Sequence, residues 1–221
     1  MSKRKSDSQR EQKPKPFSHY FTGEDAPATE GSTFTYALDR FSFTFRTAGG
    51  VFSKERVDTG SEIMLKQFLK VEAPARKRVL DLGCGYGLVG IVIGRVFSGV
   101  ELVFLDVNAR AIKVARENAK ENDVTGEFVS FDFTDDNNCQ EMAENPFDFV
   151  LCNPPVRAGK AVMEKMLLNA LLVLKPGGKL YVVVKTSLGG KSWQDWFEGL
   201  DVDLGIGRKS GYRVLVATKR G

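Results

Sequence analysis

The chain has 221 residues, enough for one good-sized core or a core with a small appendage, and its 42% apolar and 27% charged residues lie in the ordinary globular range. A single histidine excludes a multi-histidine metal site, no apolar run is long enough to span a bilayer, and the polar, basic start lacks the apolar core of a signal peptide. The net charge of +4 is mild and concentrates in the first residues and the last few, which permits nucleic-acid contact without requiring it.

Residues 1–16 (MSKRKSDSQREQKPKP) are polar, charged and broken by proline, and read as a disordered basic arm. In STFTYALDRFSFTFRT, Phe34, Tyr36 and Leu38 alternate, as do Phe41, Phe43 and Phe45, on either side of an Asp39-Arg40 break. The pattern predicts a small β-hairpin inside an N-terminal extension, residues 17–57. The main domain, residues 58–221, opens with a helix starting near Asp58 or Thr59, with Ile63, Leu65, Phe68 and Leu69 on its apolar face.

From residue 77 strands and helices alternate. RVLDLG, ELVFLDV, EFVSFD, FDFVLCN and GKLYVVVK predict strands. LVGIVIGRVF, NARAIKVARENAKEND (with Asn108 as N-cap), AVMEKMLLNALLVL and SWQDWFEGL predict helices. KPGG at 175–178 reads as a helix stop and turn, and VDLGIGRKSGYRVLVATKR as two strands about a turn at 209–211. The fold class this predicts is α/β: a mostly parallel sheet covered on both faces and ending in a C-terminal antiparallel hairpin. Three cysteines, Cys84, Cys139 and Cys152, follow no zinc or redox spacing and suit packing in a reducing cytoplasm.

VLDLGCGYG places Asp81, Gly83, Cys84, Gly85 and Gly87 where the first strand of this run turns into its helix. Glycines let a backbone pass close to a ligand and adopt positive φ. The spacing is not GxGxxG and no Walker lysine follows, so neither a dinucleotide nor an ATP phosphate is the natural ligand. An acid ahead of the glycines suits an amine-bearing ligand instead. Asp106, followed by Val107, closes the second strand, where a carboxylate can accept both hydroxyls of a ribose. Asp132, ending the third, can meet an adenine amine, with Phe131 or Phe133 beside the ring. Together these residues predict an adenosine-bearing ligand.

The fourth strand ends on Asn153, Pro154 and Pro155. A planar exocyclic amine is a poor nucleophile because its lone pair is delocalised into the ring. The Asn153 side-chain oxygen and the Pro154 carbonyl can accept its two hydrogens and favour a pyramidal nitrogen, while the prolines hold both acceptors still. No activated general base is required, since the cationic product sheds its proton readily. Adenine N6, guanine N2 and a glutamine amide nitrogen all fit this pattern.

VLDLGCGYG, LDVN and NPPVRAGK together resemble a class I S-adenosylmethionine-dependent methyltransferase. HYFT at 19–22, GVFSKERVDTGSEIML, VVVKTSLGGKSW and KSGYRVLVA extend the resemblance over nearly everything after residue 17. They are similar to the small methyltransferase domain of the RsmC type, whose characterised members methylate N2 of guanine in ribosomal RNA. The likeness is to short, single-copy members without the duplicated N-terminal half of the longer enzymes. It implies a Rossmann-like seven-stranded sheet, S-adenosyl-L-methionine as cofactor, guanine N2 of structured, ribosomal RNA as target, and a cytoplasmic enzyme.

The resemblance also sets His19 in a segment folded over the site and Phe52 in a cofactor lid. It gives Arg157, Lys160, Lys185, Lys191, Arg208 and Lys209 a place on a rim that meets RNA phosphate. Val156 stands where relatives that stack on adenine carry Tyr or Phe, which favours guanine. Two alternatives remain at this stage: methylation of another planar amine in nucleic acid or protein, and a non-catalytic RNA-binding protein that keeps the cofactor fold. Intact Asp81, Gly83, Asp106 and Asn153 argue against the second. No reading involves a metal or a membrane, and both a monomer and a homodimer fit.

Overall fold

A computed structural model describes residues 31–47, 57–155 and 158–221. The basic arm at 1–16, His19, Phe52, Val156 and Arg157 lie outside the described residues. The alternating aromatics form β1 (Thr33–Leu38) and β2 (Phe41–Arg46), which pair antiparallel about Asp39, a residue at φ 50°. Asp58 then starts α1 (Thr59–Val71) by accepting the Ser61 N–H at 2.9 Å, the ordinary service of an N-cap.

The alternating run follows as β3 (Arg78–Leu82), α2 (Leu88–Val96), β4 (Glu101–Leu105), α3 (Ala109–Glu121), β5 (Glu127–Val129) and α4 (Asp136–Ala143). It continues with β6 (Phe147–Cys152), α5 (Lys160–Leu172), β7 (Leu174–Lys185), α6 (Gly190–Glu198), β8 (Val202–Lys209) and β9 (Tyr212–Lys219). Seven strands lie in the order β5-β4-β3-β6-β7-β9-β8; β3 to β7 are parallel, and β9 runs antiparallel to both of its neighbours. This is the Rossmann-like α/β sheet expected from the sequence, with its antiparallel end. Strand order reverses between β3 and β6, and the carboxyl ends of the strands at such a switch point are where ligands of open α/β sheets bind.

Side chains leave the strands alternately and so divide the core into two layers. Phe149 and Leu151 of β6, with Tyr181 and Val183 of β7, pack under α1, α2 and α3. Val150 and Cys152, with Leu180, Val182 and Val184, face α5 and α6. The hairpin joins the first layer through Phe43 and Phe45, whose stacked rings are fully buried.

The edge of β2 is closed in a way the sequence did not disclose. Asn118 on α3 and Asn122, its C-cap, are four residues apart, and Thr44 and Arg46 are two apart on a strand. Both spacings are about 6 Å. Asn122 accepts from the Thr44 N–H (3.0 Å) and donates to its carbonyl (2.8 Å), and Asn118 does the same with Arg46 (2.8 and 2.9 Å). Two buried amides thus stand in for a neighbouring strand, and satisfy donors and acceptors that would otherwise be orphaned. Asn118 also donates to the Tyr86 carbonyl at 2.9 Å, which ties the hairpin to the glycine turn.

Several local expectations change. β5 stops at Val129 rather than running to 132, because Asp132 turns the chain by accepting the Thr134 N–H at 2.8 Å and its hydroxyl at 2.7 Å. Helix α4 was not expected: it buries only Cys139, so its sequence carries no apolar period, and Asp135 caps it. β7 begins at Leu174, and its ladder with β6 jumps from Phe147–Leu174 to Phe149–Lys179, so 175–178 forms an irregularity inside the strand instead of a separate turn. On α1 the buried face takes Met64, while Leu69 stays half-buried.

Candidate active site

The ladder sets the site's geometry. Leu82 pairs with Leu105 on one side and with Cys152 on the other, so the next residues, Gly83, Asp106 and Asn153, leave three adjacent strands in one row. That row lies at the switch in strand order. Asp81 lies one step inside it, within β3 and 4% exposed.

The turn after β3 is fixed by main-chain bonds, with the Gly83 and Cys84 N–H groups both donating to the Leu105 carbonyl at 2.8 and 3.0 Å. Gly83, Gly85 and Gly87 sit at φ 70°, 56° and 91°, where an L side chain is strained. The three serve different ends. A Cβ on Gly87 would strike Ile91, so that glycine is needed for packing. Nothing lies within 4 Å of a Cβ on Gly83 or Gly85, so the space above them is open to a ligand that must approach the backbone. Cys84 turns inward, and burial pushes its thiol up.

Asp106 accepts the Gly85 N–H through Oδ2 and the Asn108 N–H through Oδ1, both at 2.9 Å. Each oxygen keeps a lone pair for a further donor. Burial holds this carboxyl above the usual range against those two bonds. Val107 beside it is half-buried. Asp81 accepts the Gly90 N–H at 2.8 Å, and burial raises its carboxyl to about 7, with the Gly90 bond opposing the rise and the charge of Asp106 adding to it. A buried acid with one backbone donor and a second acid nearby suits a positively charged partner. The open turn and the two acids fit an adenosyl group carrying an amine.

Asp132 is exposed in its turn, three residues past the end of β5. Phe133 is 4% exposed in the core layer facing α5, and its carbonyl accepts from Asn169 at 2.9 Å. Its ring therefore faces the core, which leaves half-buried Phe131 as the aromatic of that turn nearer solvent.

At the end of β6, Asn153 donates through Nδ2 to Asp58 Oδ1 at 2.8 Å and to Ser61 Oγ at 2.9 Å. Both hydrogens of the amide are thereby used, and among the described residues nothing donates to its Oδ1 or to the carbonyl of buried Pro154. The Pro155 carbonyl accepts from Ala158 N–H at 2.8 Å and closes the turn. The bonds of Asp58 and Ser61 to Asn153 were not foreseen from the sequence; the only signal was the cap itself, and nothing local links it to a strand end 95 residues away.

Four cations crowd the same edge. Lys185 and Lys209 flank Tyr212 in one row of the sheet, and Arg208 lies opposite Arg213 in the next. Among the described residues Lys185, Arg208 and Lys209 have no acidic partner, whereas Lys160 pairs with Glu164 at 3.5 Å and Lys191 with Asp195 at 2.9 Å. Trp193 packs edge-on against Trp196 and is 6% exposed. No group of three His, Cys, Asp or Glu side chains that could hold a metal, and no helix long and apolar enough to cross a membrane, occurs among the described residues.

Residues 42–215 match the family described as methyltransferase small domain. The uncharacterized protein YbxB of Bacillus subtilis (strain 168) is 31% identical over 91% of this chain and 98% of its own length. Ribosomal RNA small subunit methyltransferase C of Haemophilus influenzae is 30% identical over 77% of this chain, which spans 51% of that enzyme. Among solved structures, a T. thermophilus 16S rRNA N2 methyltransferase (RsmC) in complex with AdoMet and guanosine is 25% identical with a TM-score of 0.72, covering 87% of this chain and 51% of that one.

Proposed function

This chain belongs to the methyltransferase small domain family and uses S-adenosylmethionine, and from that premise we propose that it methylates the exocyclic N2 amine of guanine in ribosomal RNA. The observation that carries the reading is the bonding of Asn153, whose two amide hydrogens are taken by Asp58 and Ser61, which leaves its oxygen as the group with accepting capacity to spare. That oxygen and the Pro154 carbonyl accept the two N–H bonds of the target amine and aim its lone pair. As the nitrogen takes up the methyl group it becomes cationic, and the same two oxygens stabilise that charge. The cation then releases a proton to water.

When bound, the cofactor supplies an electrophilic methyl group on a sulfonium sulfur. The chain's part is to hold it. Gly83 and Gly85 admit it close to the main chain beside Cys84 and Gly87, Asp106 with Val107 takes the ribose hydroxyls, and Asp81 meets the amine. Asp132 and Phe131 serve the adenine. Guanine is favoured over other planar amines by the likeness to an enzyme whose structure holds guanosine. RNA is favoured by the edge itself, where Lys185, Arg208 and Lys209 have no acidic partner among the described residues and are available to phosphate. Lys160, Lys185 and Lys209 extend the same rim. A ribosomal substrate places the enzyme in the cytoplasm.

Mass analysis of nucleosides from ribosomal RNA incubated with the protein and S-adenosylmethionine tests the reading. N2-methylguanosine is the expected product. N6-methyladenosine, or methylated glutamine in a ribosomal protein, would keep the chemistry and overturn the target.

A further inference from the structure

The polarity of the Asn153 side chain decides whether it can accept from an amine at all, and it is set from the start of α1. Asp58 ends in two oxygens that only accept when ionised, so the atom facing it at 2.8 Å must be the amide nitrogen; a flipped amide would set oxygen against oxygen. Ser61 Oγ takes the second hydrogen at 2.9 Å. The Ser61 N–H in turn holds Asp58 Oδ1 at 2.9 Å, so acid, hydroxyl and helix start form one closed unit. Gly60 lies between them with no room to spare: a Cβ there would come within 3.1 Å of both Asp58 Oδ1 and the Tyr212 ring.

We propose that Asp58 and Ser61 are positioning residues for methyl transfer: they clamp the Asn153 amide with its oxygen toward the target amine, and the charge of Asp58 strengthens that oxygen as an acceptor. An amide that donates to a carboxylate is polarised along its length, and electron density gathers on its oxygen. This inference rests on the reading of Asn153 as an acceptor for the amine. It adds that the start of α1, far from β6 in sequence, carries part of the catalytic apparatus without touching the substrate. It also gives the glycine at 60 a reason, since a Cβ there would press on Asp58 Oδ1 from one side and the Tyr212 ring from the other.

Asp58→Ser keeps a good N-cap for α1 but is too short to reach Asn153, and Ser61→Ala removes the other acceptor and leaves the cap. Asp58→Asn retains an oxygen able to accept both bonds. The assay is single-turnover transfer from labelled S-adenosylmethionine to ribosomal RNA, with S-adenosylhomocysteine affinity and melting temperature measured alongside. Asp58→Ser and Ser61→Ala should each slow transfer by on the order of 10–10²-fold, the scale of a misplaced catalytic group, with affinity and melting temperature retained. Asp58→Asn should recover most of that loss, and in an Asn153→Ala background Asp58→Ser should cost nothing further.

A second readout needs no catalysis: the side-chain amide of Asn153 should appear in NMR spectra as a slowly exchanging pair that becomes fast in Asp58→Ser. Full transfer in Asp58→Ser and Ser61→Ala alongside a crippled Asn153→Ala would overturn the clamp alone. Loss of cofactor binding, an undiminished effect in the Asn153→Ala background, or an unchanged amide pair would overturn it as well. Full activity of Asn153→Ala would instead sink the reading on which the clamp rests.

Discussion

The two ends of the sheet treat charge in opposite ways. At the amino ends of the strands the half-buried acids Asp148 and Glu72 are matched from within. Asp148 pairs with Lys175 at 2.7 Å and Lys77 at 3.3 Å and accepts the Arg78 N–H at 2.9 Å; burial would raise its carboxyl, but these bonds outweigh it and hold it below the usual range. Glu72 likewise takes Lys179 at 2.6 Å and the Tyr181 hydroxyl at 2.5 Å. At the carboxyl ends Asp58, Asp81 and Asp106 meet only backbone or amide N–H donors, and burial holds Asp81 and Asp106 above their usual range. Of the cations there, Lys185, Arg208 and Lys209 go without acids among the described residues, while Lys160 and Lys191 pair only with acids on their own helices. Charges neutralised within the fold serve stability, whereas those without an opposite partner are the ones proposed to meet ligands.

Substitutions at the two ends should therefore separate by what they damage. Asn153→Ala should lower methyl transfer by roughly 10²–10³-fold, as removal of one fixed charge-stabilising group does elsewhere, while a calorimetric titration with S-adenosylhomocysteine stays nearly unchanged. In Asp106→Ala that titration should weaken by about 1–3 kcal/mol with the fold intact. Glu72→Ala should do the reverse. It strands Lys179 and the Tyr181 hydroxyl, so urea unfolding should show a loss of about 1–3 kcal/mol and cofactor affinity should not move.

The raised carboxyl of Asp81 gives a pH test with a definite sign. Between about 4 and about 7 the folded protein keeps this proton and the unfolded chain does not, so its contribution to apo stability is present at low pH and is lost as pH rises through that window. A cationic amine needs the charged form, so S-adenosylhomocysteine should bind more tightly as pH rises toward about 7, by up to about tenfold per unit. The smallest effect belongs to the rim. Lys185→Ala and Lys209→Ala should each flatten the log–log salt dependence of RNA binding by about 0.7–0.9, with single-turnover chemistry at saturation unaltered.

What was legible in the sequence follows how local each signal is. The hairpin, the start of α1 at Asp58, the glycine turn and the row of strand-end residues are written in adjacent positions and appear where expected. The short β5 was not legible, because EFVSFD gives no sign that Asp132 would bond back onto Thr134. Helix α4 was invisible for want of an apolar face. Phe131 and Phe133 stand two residues apart, and only the packing of the α5 layer shows which ring is buried. Asn118 and Asn122 look like ordinary polar helix positions until β2 is laid beside them, and the bond between Asp58 and Asn153 exists only once α1 and β6 converge. Local patterns therefore placed the glycine turn, Asp106 and Asn153 along one edge of the sheet, and the tertiary fold alone shows which groups bond to Asn153.

Hydrogen exchange compared with and without saturating S-adenosylhomocysteine tests the contrast between the two ends most directly. The account predicts new protection in the glycine turn at 83–87 and at 106–108, where the open glycines and the partly satisfied Asp106 await a ligand, and no change around Glu72, Asp148 and 175–179. Protection centred on the ion-paired end, or no change at either end with the ligand bound, would contradict it.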